Sequence, residues 1–212
     1  MRAFLYEDFG EPLIKPLTRA IYRVEIAGAE RVPRSGPCVL VSNHESVIDP
    51  FVLALVTRRT VRYMAKAELW DHPVMRFFME AFGTFPIQRR TGDRGAVDRA
   101  AQLLDAGEII GIFPQGTTLP YRRKPWGRGA AKLALATGAP IVPACLVGTE
   151  RAVRPHRLKL GLPRLLVLVG QPIRVDRQRP TVANAKALTE RVADAIGELR
   201  RPYGPPAHVW ID

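Results

Sequence analysis

Residues 39–51 read VLVSNHESVIDPF, and the fold is decided there. The apolar run Cys38-Val39-Leu40-Val41 has the length and β-branched content of a buried strand. It ends in Ser42-Asn43-His44, and a short polar turn follows. Asp49-Pro50 then opens a second apolar run, Phe51-Val52-Leu53-Ala54-Leu55-Val56, with Asp as the helix cap and Pro in the first turn. The expected unit is a strand, a turn carrying a histidine, and a helix running to about Val56. His44 and Asp49 are then held on one strand-to-helix corner. Two readings are open for them: a pair of groups for chemistry, or a routine cap beside a structural histidine.

Working outward, helical and strand patterns alternate along the chain. Upstream, residues 12–24 place Leu13, Ile14, Leu17, Ala20, Ile21 and Val24 on one helical face and Lys15, Arg19 and Arg23 on another. Such a helix either packs across the domain or lies on an anionic membrane. Downstream, strands are expected at 60–65, 83–87, 108–113, 139–147 and 165–169. Helices are expected at 93–106, with Val97, Ala100, Ala101 and Leu104 inward, at 129–137, and at 181–199. After Pro73, the stripe Val74, Phe77, Phe78, Ala81 and Phe82 reads as core, while Met75, Phe78 and Met79 suit the edge of a greasy channel. Residues 200–212 read as a tail. The pattern predicts a single α/β domain over 1–212, with a mostly parallel central sheet flanked by helices and an N-terminal amphipathic helix within 1–24. In such sheets the site lies beyond the carboxyl ends of the strands, where His44 and the loops after Ile87 and Phe113 fall.

Composition narrows the partners. The chain has 212 residues and a formal net charge of +12. That excess favours an anionic partner, whether nucleic acid, phosphorylated metabolite or acidic membrane, unless it reflects only the base composition of the genome. The two cysteines, Cys38 and Cys145, each lie in an apolar run and read as buried free thiols. No signal peptide and no apolar stretch of roughly 20 residues is visible, so the expected place is the cytoplasmic side of a membrane, attached peripherally. His72, His156 and His208 show no ligand spacing with His44 or the cysteines, so no metal is expected. No phosphate-binding G-x-x-x-x-G-K-[ST] loop is present either.

The corner can nevertheless support acid–base chemistry. Imidazole titrates near neutral pH and can take a proton from a hydroxyl as that hydroxyl attacks. Asp49 can accept from the other ring nitrogen, fixing the tautomer. No nucleophile elbow G-x-S-x-G exists, and Ser42 and Ser46 are too close in the chain for a comfortable triad. The substrate is therefore expected to bring the nucleophile.

Four ordered blocks carry a resemblance. Asn43-His44-Glu45-Ser46-Val47-Ile48-Asp49 matches the N-H-x-x-x-x-D motif of the glycerolipid acyltransferases and is most similar to the lysophosphatidate (1-acylglycerol-3-phosphate) acyltransferases. Ala65-Lys66-Ala67-Glu68-Leu69 resembles the segment after the first helix. Gly83-Thr84-Phe85-Pro86-Ile87-Gln88-Arg89 resembles the second block, Phe113-Pro114-Gln115-Gly116-Thr117-Thr118 the third, and Ala139-Pro140-Ile141-Val142-Pro143 the fourth.

The resemblance implies an O-acyltransferase of phospholipid biosynthesis. His44, oriented by Asp49, would deprotonate a hydroxyl of a lysophospholipid, and the oxygen would attack an acyl thioester. The thioester, acyl-CoA or acyl-carrier protein, is a co-substrate, and no cofactor is implied. Substrate contacts are expected from Asn43, Lys66, Arg89, Arg90, Gln115, Gly116, Thr117, Thr118, Arg122, Arg123 and Lys124. The turn at Gln115-Gly116-Thr117 is the expected source of oxyanion donors. The third block departs from its usual F-P-E-G-T-R twice, with Gln115 for Glu and Thr118 for Arg. The second change removes a bidentate phosphate fork. Either Arg122, Arg123 or Lys124 substitutes, or the acceptor is a glycolipid, aminolipid or other lysolipid, or the enzyme is weakened. Two competing readings are a non-catalytic binder of anionic polymers, suggested by the charge and the basic, aromatic run 121–126, and a thioester hydrolase. Neither accounts for the ordered blocks as well, and no nucleic acid is the expected partner.

Overall fold

In a computed structural model of the chain, residues 11–81, 83–87, 94–118, 125–152 and 163–204 are described. The elements follow in the order α1 (Glu11–Ile21), β1 (Arg23–Ala27), β2 (Cys38–Ser42), α2 (Asp49–Leu53), β3 (Val61–Lys66), α3 (Pro73–Ala81) and β4 (Phe85–Ile87). The second half holds α4 (Arg94–Asp105), β5 (Ile109–Ile112), α5 (Gly129–Thr137), β6 (Ile141–Val147), β7 (Arg164–Val169) and α6 (Val182–Arg200). Among the described residues the strands form one seven-stranded sheet in the order β1-β7-β6-β2-β5-β3-β4. Every pairing is parallel except β6 with β7. The α/β reading with a mostly parallel sheet is therefore correct.

The opening run is β2, central in the sheet, with all five residues buried. Its alternate side chains go to opposite cores, as a period of two requires. Cys38 and Leu40 join Val52, Leu53, Val61 and Tyr63 on one face. Val39 and Val41 join Ile110 and the inner stripes of α4, α5 and α6 on the other. A strand covered on both faces has no polar side to show, so its sequence reads as a continuous apolar run. Each fully buried Val or Leu there contributes about 1.5–3 kcal/mol relative to exposure.

The connections after β2 and β5 place the site. These strands are neighbours, with Cys38 opposite Ile109 and Val41 opposite Ile112. From β2 the chain passes into α2, on the first core; from β5 it leads to α5, on the second. Adjacent strands whose connections leave to opposite faces open a crevice at their carboxyl ends.

Several local expectations are corrected. The helix expected to reach Val56 ends at Leu53 and continues as a 3-10 turn over Ala54–Val56. In α4 Ala96, not Val97, is buried with Ala100 and Leu104; these lie at i, i+4 and i+8, and Val97 is exposed. On α1, for which packing across the domain and lying on a membrane were both open, Leu17 and Ile21 of the apolar face are 51% and 40% exposed, while Thr18 is buried. The α3 stripe is not core where it is described: Val74 and Phe77 are 52% and 56% exposed. Arg200, expected to begin the tail, closes α6. That helix starts with a reciprocal cap, in which Thr181 Oγ1 accepts from Asn184 N and Asn184 Oδ1 accepts from Thr181 N.

Candidate active site

Asn43 ends β2 and locks it to β6. Its Nδ2 donates to Leu146 O at 2.9 Å, and its Oδ1 accepts from Leu146 N at 2.8 Å. Asn43, expected at a substrate, is buried with both ends of its amide engaged by Leu146. It sets where the next residue, His44, leaves the sheet.

Asp49 shapes the turn that follows. It is fully buried, and its Oδ2 accepts from Glu45 N at 2.6 Å, Ser46 N at 2.8 Å and His44 Nδ1 at 2.9 Å. The capping expectation is corrected here: Ile48 holds the N-cap position, and Asp49 is the first residue of α2. The carboxylate reaches back into the turn instead of along the helix. One oxygen thus fixes both the backbone path 44–46 and the histidine ring, and charge-assisted bonds of this kind are the stronger class.

The ring of His44 is 18% exposed at the side chain. It stacks on Phe113 with centroids 4.3 Å apart and planes inclined by 21°. Phe113 stacks in turn on Tyr63 at 5.8 Å, and Tyr63 donates its hydroxyl hydrogen to Pro50 O at 2.9 Å. With Nδ1–H given to Asp49, Nε2 carries the lone pair and has no hydrogen-bond partner among the described residues. Neither nearby serine is joined to it. Ser42 Oγ lies 3.4 Å from Asn43 Oδ1, and Ser46 Oγ is buried without a described partner. The Cys145 thiol, buried in β6, is pushed up to about 11 by desolvation, which removes it as a nucleophile at neutral pH.

The third block turns beside this ring. Gly116, at φ 67, adopts a left-handed conformation that glycine takes without strain, and its N–H donates to Phe113 O at 3.0 Å. That amide, one of the expected oxyanion donors, is engaged within the turn itself. Gln115 Oε1 accepts the backbone N–H of His44. Its side-chain oxygen therefore serves the histidine, where a substrate contact was expected. Thr117 and Thr118 follow, half-buried, at the same mouth. Lys66 ends β3, next in the sheet to β5, with its side chain outside the described residues. Arg89, Arg90, Arg122, Arg123 and Lys124 all lie outside the described residues.

Two charged residues were missed. Glu45 is half-buried in the turn after His44, within electrostatic reach of Asn43, Arg200 and Gln115. Desolvation pushes its carboxyl above the ordinary value, against the lowering effect of those three partners. Arg200 Nη1 donates to Leu146 O at 2.8 Å, and its Nη2 lies 3.9 Å from the buried Glu150. A signal for Arg200 was present in the sequence. The buried stripe of α6 runs Ala185, Leu188, Val192, Ile196, and the next position on it is 200. An arginine continuing an apolar stripe needs a polar partner inside.

A family model described as Acyltransferase matches residues 23–147, more than half of the chain, and the chain belongs to that family. It is 35% identical over 135 residues to the chloroplastic 1-acyl-sn-glycerol-3-phosphate acyltransferase BAT2 of Brassica napus, covering 61% of this chain and 39% of that protein. It is 28% identical over 179 residues to the 1-acyl-sn-glycerol-3-phosphate acyltransferase of Bacillus subtilis, covering 83% of this chain and 87% of that one. The chain thus spans about two fifths of the plant relative and most of the bacterial one. The fold is also that of the 1-acyl-sn-glycerophosphate (LPA) acyltransferase PlsC of Thermotoga maritima, with a TM-score of 0.73 at 18% identity over 100% of this chain and 86% of that one.

Proposed function

We propose that the protein is a 1-acyl-sn-glycerol-3-phosphate acyltransferase, moving a fatty acyl group from acyl-CoA or acyl-carrier protein to the free hydroxyl of lysophosphatidate. The observation that carries this reading is the 2.9 Å contact of His44 Nδ1 with the buried Asp49 carboxylate, which leaves Nε2 open. Nε2 takes the hydroxyl proton as the acceptor oxygen attacks the thioester carbonyl. Asp49 stabilises the imidazolium, the carbon–sulfur bond breaks, and the departing thiolate takes the proton from Nε2. The acceptor supplies the nucleophile, so no acyl-enzyme forms. The names of the plant and bacterial relatives support lysophosphatidate as the acceptor.

The remaining expected contacts fit the same reaction. Lys66, Arg89, Arg90, Arg122, Arg123 and Lys124 supply cations for the phosphates of both substrates, with Thr117 and Thr118 at the mouth of the site. The protein attaches peripherally to anionic lipid on the cytoplasmic side. Among the described residues no helix is long and apolar enough to cross a membrane. Support for surface attachment comes from the net charge of +12 and from exposed apolar side chains on α1 and α3. Val47, in the His44 turn itself, is 63% exposed. The free, buried Cys38 and Cys145 suit a reducing compartment.

The test is thiol release from acyl-CoA with and without lysophosphatidate, with the lipid product identified by mass spectrometry. Phosphatidate formed only with acceptor is the expected result. Thiol release without acceptor marks a hydrolase, and product only with a glycolipid, aminolipid or other lysolipid replaces the acceptor.

A further inference from the structure

Asn43 continues the β2–β6 ladder with its side chain. The main-chain register of the two strands runs to Ser42 opposite Ala144. Two residues further along β6, the Asn43 amide meets both polar groups of Leu146, donating to its O at 2.9 Å and accepting from its N at 2.8 Å. These two bonds hold the end of β2 as the chain departs into the His44 turn. A peptide carbonyl has two lone pairs, and Asn43 uses one of those on Leu146. The other is taken by Arg200, whose Nη1 donates to the same oxygen at 2.8 Å. Arg200 sits one turn beyond Ile196 on the buried stripe of α6, with its side chain 13% exposed. Its remaining nitrogens are also occupied. Nε donates to Gly204 O at 3.0 Å, and Nη2 lies 3.9 Å from Glu150, which is buried in the turn after β6. A planar guanidinium held at all three nitrogens has one orientation, so it fixes the carbonyl it binds.

We propose that Arg200 is a positioning residue for the acyl transfer: by holding the Leu146 carbonyl it fixes the Asn43 amide, and through Asn43 the point at which His44 leaves the sheet. Asp49 and Gln115 hold His44 from the turn and from the third block. The Leu146 clamp holds it from the strand, and Arg200 completes that clamp. Arg200 lies outside the region 23–147 that matches the family, so α6 supplies a part of the corner that the matched region does not contain. The rate is sensitive to such a brace, because a misplacement of about 1 Å at a reacting group costs up to about 10²-fold.

The test compares Arg200→Met, Asn43→Ala and the pair with Ile196→Ala, which removes core from the same stripe one turn earlier. Arg200→Met is expected to lower kcat by about tenfold or more, with KM for acyl-CoA and for lysophosphatidate within about twofold of wild type. Ile196→Ala should lower Tm at least as far, yet keep kcat within about twofold below its unfolding temperature. Because Arg200 acts through Asn43, the double variant should fall no further than Asn43→Ala alone. Arg200→Lys keeps the charge beside Glu150 and stands in if Arg200→Met does not fold; lacking the fork, it should lower kcat by about threefold or more. Wild-type kcat in whichever of the two folds overturns the proposal. So does a loss confined to KM, which would make Arg200 a substrate contact, and so do losses that multiply in the double variant or an equal loss of kcat in Ile196→Ala. These kinetic arms rest on the acyltransferase reading, but amide hydrogen exchange read by mass spectrometry needs no turnover. Against Ile196→Ala, the Arg200 variant should exchange faster over residues 43–46 and 144–147, by about fivefold or more, the scale of one lost hydrogen bond. Unchanged exchange there overturns the proposal. A wild-type protein without turnover overturns the acyltransferase reading instead, and exchange then decides the role of Arg200 by itself.

Discussion

At the scale of single residues, Glu45 makes the corner sensitive to pH. Burial raises its carboxyl above the ordinary value of 4.5, so folding favours the protonated form. The stability this contributes is full below that ordinary value and is lost as pH rises through the folded-state value. Urea unfolding at a series of pH values should show wild type losing stability relative to Glu45→Gln across that window. Parallel curves would contradict it. His44 and Asp49 were legible because the chemistry needs both types near each other and the spacing supplied them. The direction of the Asp49 side chain was not legible. Asp before Pro signals a helix start, but whether the carboxylate turns along the helix or back into the turn depends on which N–H groups the loop presents. Glu45 carried no signal of its own, because the groups that act on its charge, Gln115 and Arg200, come from far along the chain.

At the scale of elements, the stack Tyr63–Phe113–His44 ties the site to the first core. It depends on a missing side chain in β5. A Cβ on Gly111 would lie 2.3 Å from Tyr63 Cε1 and 2.9 Å from Val61 Cγ1, closer than atoms can approach. Gly111→Ala should therefore cost about 1–3 kcal/mol in chemical denaturation, as overpacking does. It should also lower kcat, because the displaced Tyr63 ring supports Phe113 beneath the histidine. Full activity with unchanged stability would show that the stack does not hold His44. Strands and helices near the site were legible to within a few residues, since β2, β5 and β6 are covered on both faces and their apolar runs have clear ends. The faces of α1 and α3 were not. Helical periodicity shows that one side is apolar; it does not say what covers that side. Leu17, Ile21, Val74 and Phe77 are all on such sides and are exposed. Val97 illustrates the finer error: it belongs to the apolar pattern of α4, but Ala96, Ala100 and Leu104 define the line that meets the sheet.

At the scale of the whole molecule, the proposed attachment to an anionic lipid surface draws on a net charge of +12 and exposed apolar side chains on two helices. Wild type should pellet with vesicles containing anionic phospholipid and release as salt rises. The pair Val74→Ser and Met75→Ser should weaken binding by about tenfold, given about 1.5–3 kcal/mol for a large apolar side chain fully buried. Retention of both variants and wild type alike on the vesicles would remove α3 from that surface. The charge was plain in the sequence, but its purpose was not, since nucleic acid, phosphate and membrane all answer to the same sum. The α6 stripe signals that Arg200 turns inward, but its partner needed the complete fold, because α6 carries it back to the end of β6. The central claim is that His44 takes the acceptor proton and that the acceptor itself attacks the thioester. The most direct measurement is lysophosphatidate-dependent thiol release from acyl-CoA by wild type and His44→Ala. The account predicts release that needs the acceptor and falls by about 10²–10⁴-fold in the variant, the range of general-base catalysis. Acceptor-dependent release at the wild-type rate in His44→Ala would contradict it.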